Sequence, residues 1–154
     1  MALYLVRHAK AGERRGWSDD DQLRPLSTAG WKQARSLADR LEAEHPTTLV
    51  SSPYMRCVQT LEPLAERLGV EIGVDERITE GVAFERSLEL LDELDDGSVL
   101  CSHGDVIPAL LDALVRRGLE VRSTPDWRKA STWVIRRKKS GRYTTARVWP
   151  PPGR

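Results

Sequence analysis

The sequence lacks any long run of apolar residues. Its longest N-terminal apolar run covers only residues 2–6, and Arg7 and His8 follow at once. A secretory signal peptide needs an apolar stretch of about 7–15 residues, and a membrane-spanning helix needs about 20. We therefore predict no targeting segment and no membrane partner, and we expect a cytoplasmic protein.

Cysteine and excess charge are also scarce. The two cysteines, Cys57 and Cys101, form no CxxC pair, so the sequence indicates neither a zinc site nor a disulfide framework. The chain has 24 lysines and arginines against 23 aspartates and glutamates, a formal charge of +1. This balance argues against a nucleic-acid partner, which usually requires a large basic excess. It does not exclude a small anionic substrate, because a site can concentrate charge locally.

What is present is one domain's length of alternating strand and helix patterns, in 154 residues. We predict strands at residues 2–6, 47–51, 70–74, 98–102, 132–137 and 143–149, and helices at 27–45, 53–68, 84–94 and 106–117. This order predicts an α/β three-layer sandwich, with a mostly parallel central sheet of about six strands flanked by helices. An antiparallel hairpin closes the sheet. The single domain is expected to cover residues 1–149, followed by a Pro-rich tail at 150–154.

Polar and charged residues gather where three of these strands end. Arg7 and His8 follow the first strand, Arg56 lies in the helix after the second, and His103 follows the fourth. Ligands of parallel sheets bind beyond the carboxyl ends of the strands. A single strand-end histidine is more often structural, but four such groups would repel one another unless an anion neutralised them. Because a guanidinium can bind two phosphate oxygens at once, the pattern predicts a phosphate site.

Four blocks of sequence, in order, carry a family resemblance. They are Leu5–Gly12, Arg24–Gly30, Ser51–Thr60 and Ser102–Asp105. Together they resemble the histidine phosphatase (phosphoglycerate mutase-like) superfamily, over roughly residues 2–149. Within it, the chain is most similar to the SixA-type phosphohistidine phosphatases and to the histidine phosphatase domain of MutT-like proteins. Residues 127–134 resemble the late part of that domain.

The resemblance implies a mechanism for the predicted site. His8 would attack phosphorus as the nucleophile and form a phosphohistidine, which water then hydrolyses. Arg7, Arg56 and His103 would hold the phosphate oxygens, and a backbone N–H near Gly104 would add a donor. The arginines would supply the positive field, so we expect neither a metal nor another cofactor.

Three further residues are candidates for the site. The family usually takes the leaving-group proton from a carboxylate after the third strand, and Glu80 is the candidate, with Glu76 and Glu85 as competitors. A solvated loop glutamate is the alternative interpretation. At the rim of the site, Lys10 would add positive potential or be solvated. Trp17 would stack on a nucleobase or cover the pocket, or simply anchor its own loop.

We therefore predict a metal-independent phosphatase acting on a phosphate ester, phosphoanhydride or phosphohistidine. A SixA-like activity on a phosphohistidine protein is favoured, and a nucleotide or another phosphorylated small molecule is the alternative substrate. The rival of another class is a non-catalytic phosphate-sensing or partner-binding domain, which could lose a histidine that this chain retains. A cysteine phosphatase is excluded, because Ile107 stands where its Cys-x5-Arg loop would place the arginine after Cys101. We expect a monomer.

Overall fold

Strands and helices alternate along residues 2–153, the part of the chain that the computed structural model describes. Met1 and Arg154, the outer ends of the predicted domain and tail, lie outside the described residues. The strands are β1 (Ala2–Arg7), β2 (Thr48–Ser51), β3 (Ile72–Val74), β4 (Ser98–Ser102), β5 (Glu120–Val121), β6 (Thr132–Arg137) and β7 (Tyr143–Trp149). The helices are α1 (Thr28–Glu42), α2 (Met55–Leu68), α3 (Phe84–Glu93) and α4 (Val106–Arg116).

The strands form one mixed sheet in the order β3-β2-β4-β1-β6-β7-β5. β3, β2, β4 and β1 run parallel, β6 is antiparallel to both β1 and β7, and β5 is parallel to β7. The predicted α/β architecture is confirmed, with seven strands rather than about six. The additional strand, β5, is two residues long, which is too short to show a strand pattern in the sequence.

Two apolar layers cover the sheet, one on each face. In β1, Leu3 and Leu5 belong to the core that includes the buried side chains of α3 and α4. Tyr4 and Val6 point to the opposite face and pack in the core formed with α1 and α2. Alternate side chains of a strand point to opposite faces of the sheet. A strand that is apolar at every position therefore needs other elements packed against both faces. The three-layer arrangement therefore follows from the continuous apolar run of β1.

The first turn of α1 supports the segment that leaves β1. Ser27 caps the helix by accepting a hydrogen bond from the Gly30 N–H, and its own backbone N–H and hydroxyl both donate to the Lys10 carbonyl. Gly30 also lies against this carbonyl, and a Cβ atom at Gly30 would come within 1.9 Å of the oxygen. The helix can therefore approach residues 8–10 only because position 30 has no side chain.

This contact leads to a prediction about stability. Because the obstacle is backbone, Gly30→Ala must push α1 away from the Lys10 segment, and we expect it to cost about 3 kcal/mol of unfolding free energy. Urea denaturation measures the loss as a lower midpoint. Gly16→Ala is the matched control, since no heavy atom lies within 4 Å of a Cβ built there. Equal midpoints for the two variants would contradict the proposed close approach.

Candidate functional site

A cavity of about 660 Å³ opens where the parallel strands end. Arg7 is the last residue of β1, Arg56 lies in the first turn of α2 after β2, and His103 follows β4. β4 is hydrogen-bonded to both β1 and β2, so these three chain segments leave the sheet side by side. The cavity is lined by Arg7, His8, Lys10, Ala11, Gly12, Glu13, Arg14, Arg24, Arg56, Glu80, Gly104, Asp105 and Lys129.

His8 has the protonation state that a nucleophile requires. Its Nδ1 lies 2.8 Å from the Ala9 carbonyl, and because a carbonyl only accepts hydrogen bonds, Nδ1 carries the proton and Nε2 keeps its lone pair. Burial lowers the His8 pKa from its ordinary 6.5 to about 3, helped by the positive charges of Arg56, His103 and Arg7 and opposed by the Ala9 hydrogen bond. The imidazole is therefore neutral at physiological pH.

The depressed His8 pKa makes stability depend on pH. The folded protein holds His8 neutral where the unfolded chain protonates it, so its contribution is complete above pH 6.5 and is lost as the pH falls toward about 3. Relative to His8→Gln, which has no charge to gain, the wild type should lose about 2.5 kcal/mol of unfolding free energy between pH 7 and pH 4.5. Denaturant titrations at a series of pH values measure this difference. A loss of the same size in His8→Gln would contradict the assignment of this pH dependence to His8.

Arg56 is almost completely buried and is held by two carboxylate residues. One terminal nitrogen donates to the Asp21 carbonyl at 3.0 Å, and the other donates to the Asp21 carboxylate at 3.2 Å and to Glu80 at 2.9 Å. Asp21 also accepts from Arg24 at 2.9 Å, so it links two cavity arginines. These bonds fix the guanidinium and leave Arg56 Nε without a partner. Asp21 was not predicted, because an aspartate in a polar loop gives no sequence signal of such a role.

Arg7 is positioned by the backbone on both of its sides. Its terminal Nη1 donates to the Trp127 carbonyl at 2.7 Å, and its guanidinium lies against Gly104. A Cβ atom at Gly104 would come within 2.7 Å of Arg7 Cζ, so the close contact requires glycine. Burial lowers the pKa of Arg7, opposed by the charge of Asp105. The Arg7 Nε, like that of Arg56, has no partner.

His103 lies behind His8, with their ring centroids 5.6 Å apart. Its Nε2 is 2.8 Å from the Ser52 hydroxyl, which also accepts the Tyr54 N–H, and 3.6 Å from the sulfur of Cys57. Its Nδ1 is buried without a hydrogen-bond partner, 3.7 Å from the Glu80 carboxylate. Ser52 therefore holds one ring nitrogen and leaves the other available for a ligand.

Unpartnered buried nitrogens point to an anion. Among residues 2–153, five buried side-chain polar atoms lack a hydrogen-bond partner, and three of them are Arg7 Nε, Arg56 Nε and His103 Nδ1. An unsatisfied buried donor costs about 1–3 kcal/mol, so such a concentration in one place is unfavourable without an acceptor. A phosphate supplies several acceptor oxygens and the negative charge that this cluster lacks.

Of the other predicted residues, some line the cavity and some do not. Glu80 and Lys10 line the cavity, whereas Glu76 and Glu85 are exposed and do not. Trp17 does not line it either, so of its two predicted roles the structure favours the loop anchor over a place on the rim. Its indole N–H donates to the Asp20 carbonyl at 2.8 Å, so the ring anchors its own loop.

Residues outside the predicted set also belong to this region. Lys129 lines the cavity, and Ser52 supports His103. Ser52 directly follows the predicted second strand, but a serine there gives no specific signal of this role, and Lys129 precedes a predicted strand instead of following one. Both cysteines are free and buried. No helix within residues 2–153 is long and apolar enough to cross a bilayer, and no cluster of three metal-ligating side chains occurs there.

Comparison with known proteins identifies consistent relatives. The family model of the histidine phosphatase superfamily (branch 1) matches residues 3–85. An 8-oxo-(d)GTP phosphatase of Mycolicibacterium smegmatis is 37% identical over 140 residues, covering 86% of this chain and 43% of that protein. A probable phosphoglycerate mutase GpmB of Salmonella paratyphi C is 32% identical over 103 residues, 63% of this chain and 47% of that protein. The chain thus spans less than half the length of these relatives.

Solved structures share the fold. The protein histidine phosphatase SixA complexed with tungstate matches with a TM-score of 0.76 at 21% identity, over 94% of this chain and 93% of that one. A mycobacterial glucosyl-3-phosphoglycerate phosphatase matches with a TM-score of 0.74 at 21% identity, over 98% of this chain and 99% of that one. At these identities the similarity shows the fold alone.

Proposed function

Because this chain belongs to branch 1 of the histidine phosphatase superfamily, we propose that its cavity is a phosphatase active site with His8 as the nucleophile. The observation that carries the proposal is the combination of a neutral His8, whose Nε2 keeps its lone pair, with the unpartnered nitrogens of Arg7, Arg56 and His103. A site that only sensed phosphate would need the donors but no nucleophile held in this tautomer. The arrangement thus supports catalysis.

In the first step, the lone pair of His8 Nε2 forms a bond to phosphorus while the bond from phosphorus to the leaving oxygen breaks. Arg7, Arg56 and His103 donate hydrogen bonds to the phosphoryl oxygens, where charge is concentrated in the transition state. Positive side chains that are already fixed need no reorganisation during the reaction, and no metal is required to supply the field.

Glu80 is proposed to act as the general acid in the first step and as the general base in the second. In its protonated form it gives a proton to the leaving oxygen, and the resulting carboxylate then accepts a proton from water as that water attacks the phosphohistidine. The second attack breaks the bond between phosphorus and Nε2, releases phosphate and regenerates neutral His8. Glu80 lies 3.7 Å from His103 Nδ1 and 2.9 Å from Arg56, so it is close to the groups that would hold the phosphate.

The covalent intermediate provides the direct test. Rapid mixing with an aryl phosphate, an acid-free quench and mass spectrometry should find one phosphoryl group, located on His8. The bond should be acid-labile, as expected for phosphorus bound to nitrogen. Phosphate found on a serine or on Cys57 would contradict the mechanism, and so would rapid turnover with no phosphoenzyme at any mixing time.

A small anionic substrate is the class that the cavity supports best. Six cationic side chains and three carboxylates line it, and the relative from Mycolicibacterium smegmatis is named for a nucleotide substrate. We therefore propose a nucleotide phosphoanhydride as the substrate. A phosphohistidine protein, which the sequence resemblance favours, is the second candidate. Both substrates have good leaving groups, so the reaction of either depends little on proton donation by Glu80.

Comparing kcat/KM across nucleoside diphosphates, a phosphohistidine peptide and sugar monophosphates separates these classes. A preference of tenfold or more for the diphosphates supports the nucleotide proposal. A preference of that size for the peptide would overturn it in favour of a SixA-like activity.

A further inference from the structure

A second cavity, of about 560 Å³, adjoins the first. The two cavities share three cationic residues, Arg7, Lys10 and Lys129, and Arg128 adds a fourth to the second cavity. No carboxylate of residues 2–153 lines this second space, in contrast to the three that line the first. No lining carboxylate therefore offsets the cations that this second cavity shares with the first.

The two lysines at the junction of the cavities have no compensating charge. Within residues 2–153, neither Lys10 nor Lys129 forms an ion pair, whereas Arg128 is paired with Asp126 and Arg56 with Glu80. Burial lowers the pKa of Lys129, and nearby positive charges lower it further. These charges belong to Arg7, Arg24, Lys10 and Arg56. Gathering unpaired cations costs free energy unless an anion joins them.

The backbone holds Lys129 at this place. The N–H of its neighbour Ala130 donates to the Arg7 carbonyl at 3.0 Å and to the His8 carbonyl at 3.2 Å, and the Ser131 carbonyl accepts the Arg7 N–H at 3.0 Å. Ala130 has a φ of 68°, a left-handed conformation that costs an alanine roughly 1 kcal/mol or more. Hydrogen bonds thus fix the turn that contains Lys129 to Arg7 and His8, two residues of the proposed active site.

Lys10 and Lys129 are both exposed, so a solvated lysine face is the ordinary alternative, and their position between the two cavities argues against it. Lys10 and Lys129 both border the two cavities, and the half-buried Pro151 and Pro152 line the second one. The second cavity therefore presents cations beside the reaction centre and apolar surface farther away. This is the pattern expected for a leaving group with an anionic end and an organic body.

We propose that Lys10 and Lys129 form a second anion site, which binds a further phosphate on the leaving group of the substrate. The substrate is then a compound with two phosphates, of which Arg7, Arg56 and His103 hold the one that is transferred. A lysine ammonium serves such a role as a point charge that accepts several phosphate orientations. This inference rests on the proposed function and specifies its substrate class.

The test compares substrates with and without the second phosphate. We expect wild type to have a higher kcat/KM for a nucleoside diphosphate than for the matching monophosphate, and Lys129→Gln to reduce this ratio at least tenfold, mainly through KM. Lys10→Gln, at the other lysine of the proposed site, should act in the same direction; both lysines are exposed. A sugar bisphosphate, measured in parallel, shows whether the two phosphates must be directly linked.

Lys32→Gln is the matched control, since it removes the same charge from an exposed position on α1. An equal loss on both substrates in Lys129→Gln, or the same change of ratio in Lys32→Gln, would overturn the inference. So would a wild type without preference for the second phosphate. These outcomes leave the proposed mechanism standing, because that mechanism fails only if no phosphohistidine forms on His8. Circular dichroism of each variant confirms folding before the kinetics are compared.

Discussion

His8→Ala is expected to abolish turnover of an aryl phosphate, with kcat lower by roughly 10⁴-fold. The substitution removes the only group that can form the covalent intermediate, while Arg7, Arg56 and His103 stay in place to bind phosphate. Steady-state kinetics measure the loss, and inorganic phosphate should still protect the variant against thermal unfolding. Binding that persists without turnover would separate the nucleophile from the residues that hold the phosphate.

Truncating a buried side chain can also reduce activity through misfolding, so a second variant is needed. His8→Gln fills more of the space, has no nucleophilic ring nitrogen, and should be equally inactive. His45→Asn is the matched control, because His45 is exposed and its backbone φ of 53° suits asparagine. Near-wild-type turnover in either folded His8 variant would refute the assignment of the nucleophile.

Gly104→Ala is expected to lower kcat/KM by roughly 10²-fold with little loss of stability, since misplacing a catalytic group by about 1 Å has an effect of this size. The added Cβ would lie 2.7–2.9 Å from three atoms of the Arg7 guanidinium. This group is the end of a flexible side chain, so it can move aside at low cost to folding. Its bond to the Trp127 carbonyl holds it in place, however, and moving it would misdirect its donors.

A lower kcat/KM at an unchanged urea midpoint distinguishes a displaced Arg7 guanidinium from a loss of folded protein. Urea midpoints and kcat/KM should be measured on the same preparations of Gly104→Ala and of Gly73→Ala. A Cβ at Gly73, on the edge strand β3, would meet only the Leu49 carbonyl at 3.6 Å, an ordinary contact distance. Wild-type kcat/KM in Gly104→Ala would show that the position of the Arg7 guanidinium does not matter for the reaction.

Much of the fold and the centre of the site could be predicted from the sequence, for local reasons. The apolar run of β1, the start of α1 next to residue 27 and the hairpin of β6 and β7 are properties of neighbouring residues, and each is present where it was predicted. The strand-end positions of Arg7, His8, Arg56 and His103 follow from the same alternation, because parallel strands bring their carboxyl ends to one edge. β5 was not predicted, because its two residues are too few to show an alternating strand pattern.

The remaining residues depend on distant partners, which no local pattern records. Asp21 is a loop aspartate until the fold brings it to Arg56, 35 positions later, and Ser52 gains its role only beside His103. For Trp17 the sequence left two alternatives open, a residue at the rim of the cavity or an anchor of its own loop, and only the fold distinguishes them. Its indole binds Asp20, three residues away.

The sequence by itself determined that this chain is an α/β domain with cations at its strand ends, because periodicity and chain order set which residues leave the sheet at one edge. Only the tertiary structure decided which nitrogen of His8 is unprotonated, since that depends on its bond to the Ala9 carbonyl and its burial. It also decided that Lys129 joins the site, through the Ala130 turn bound to Arg7 and His8. Charge and hydrogen bonding act through space, so their effects appear only when the fold has set the distances.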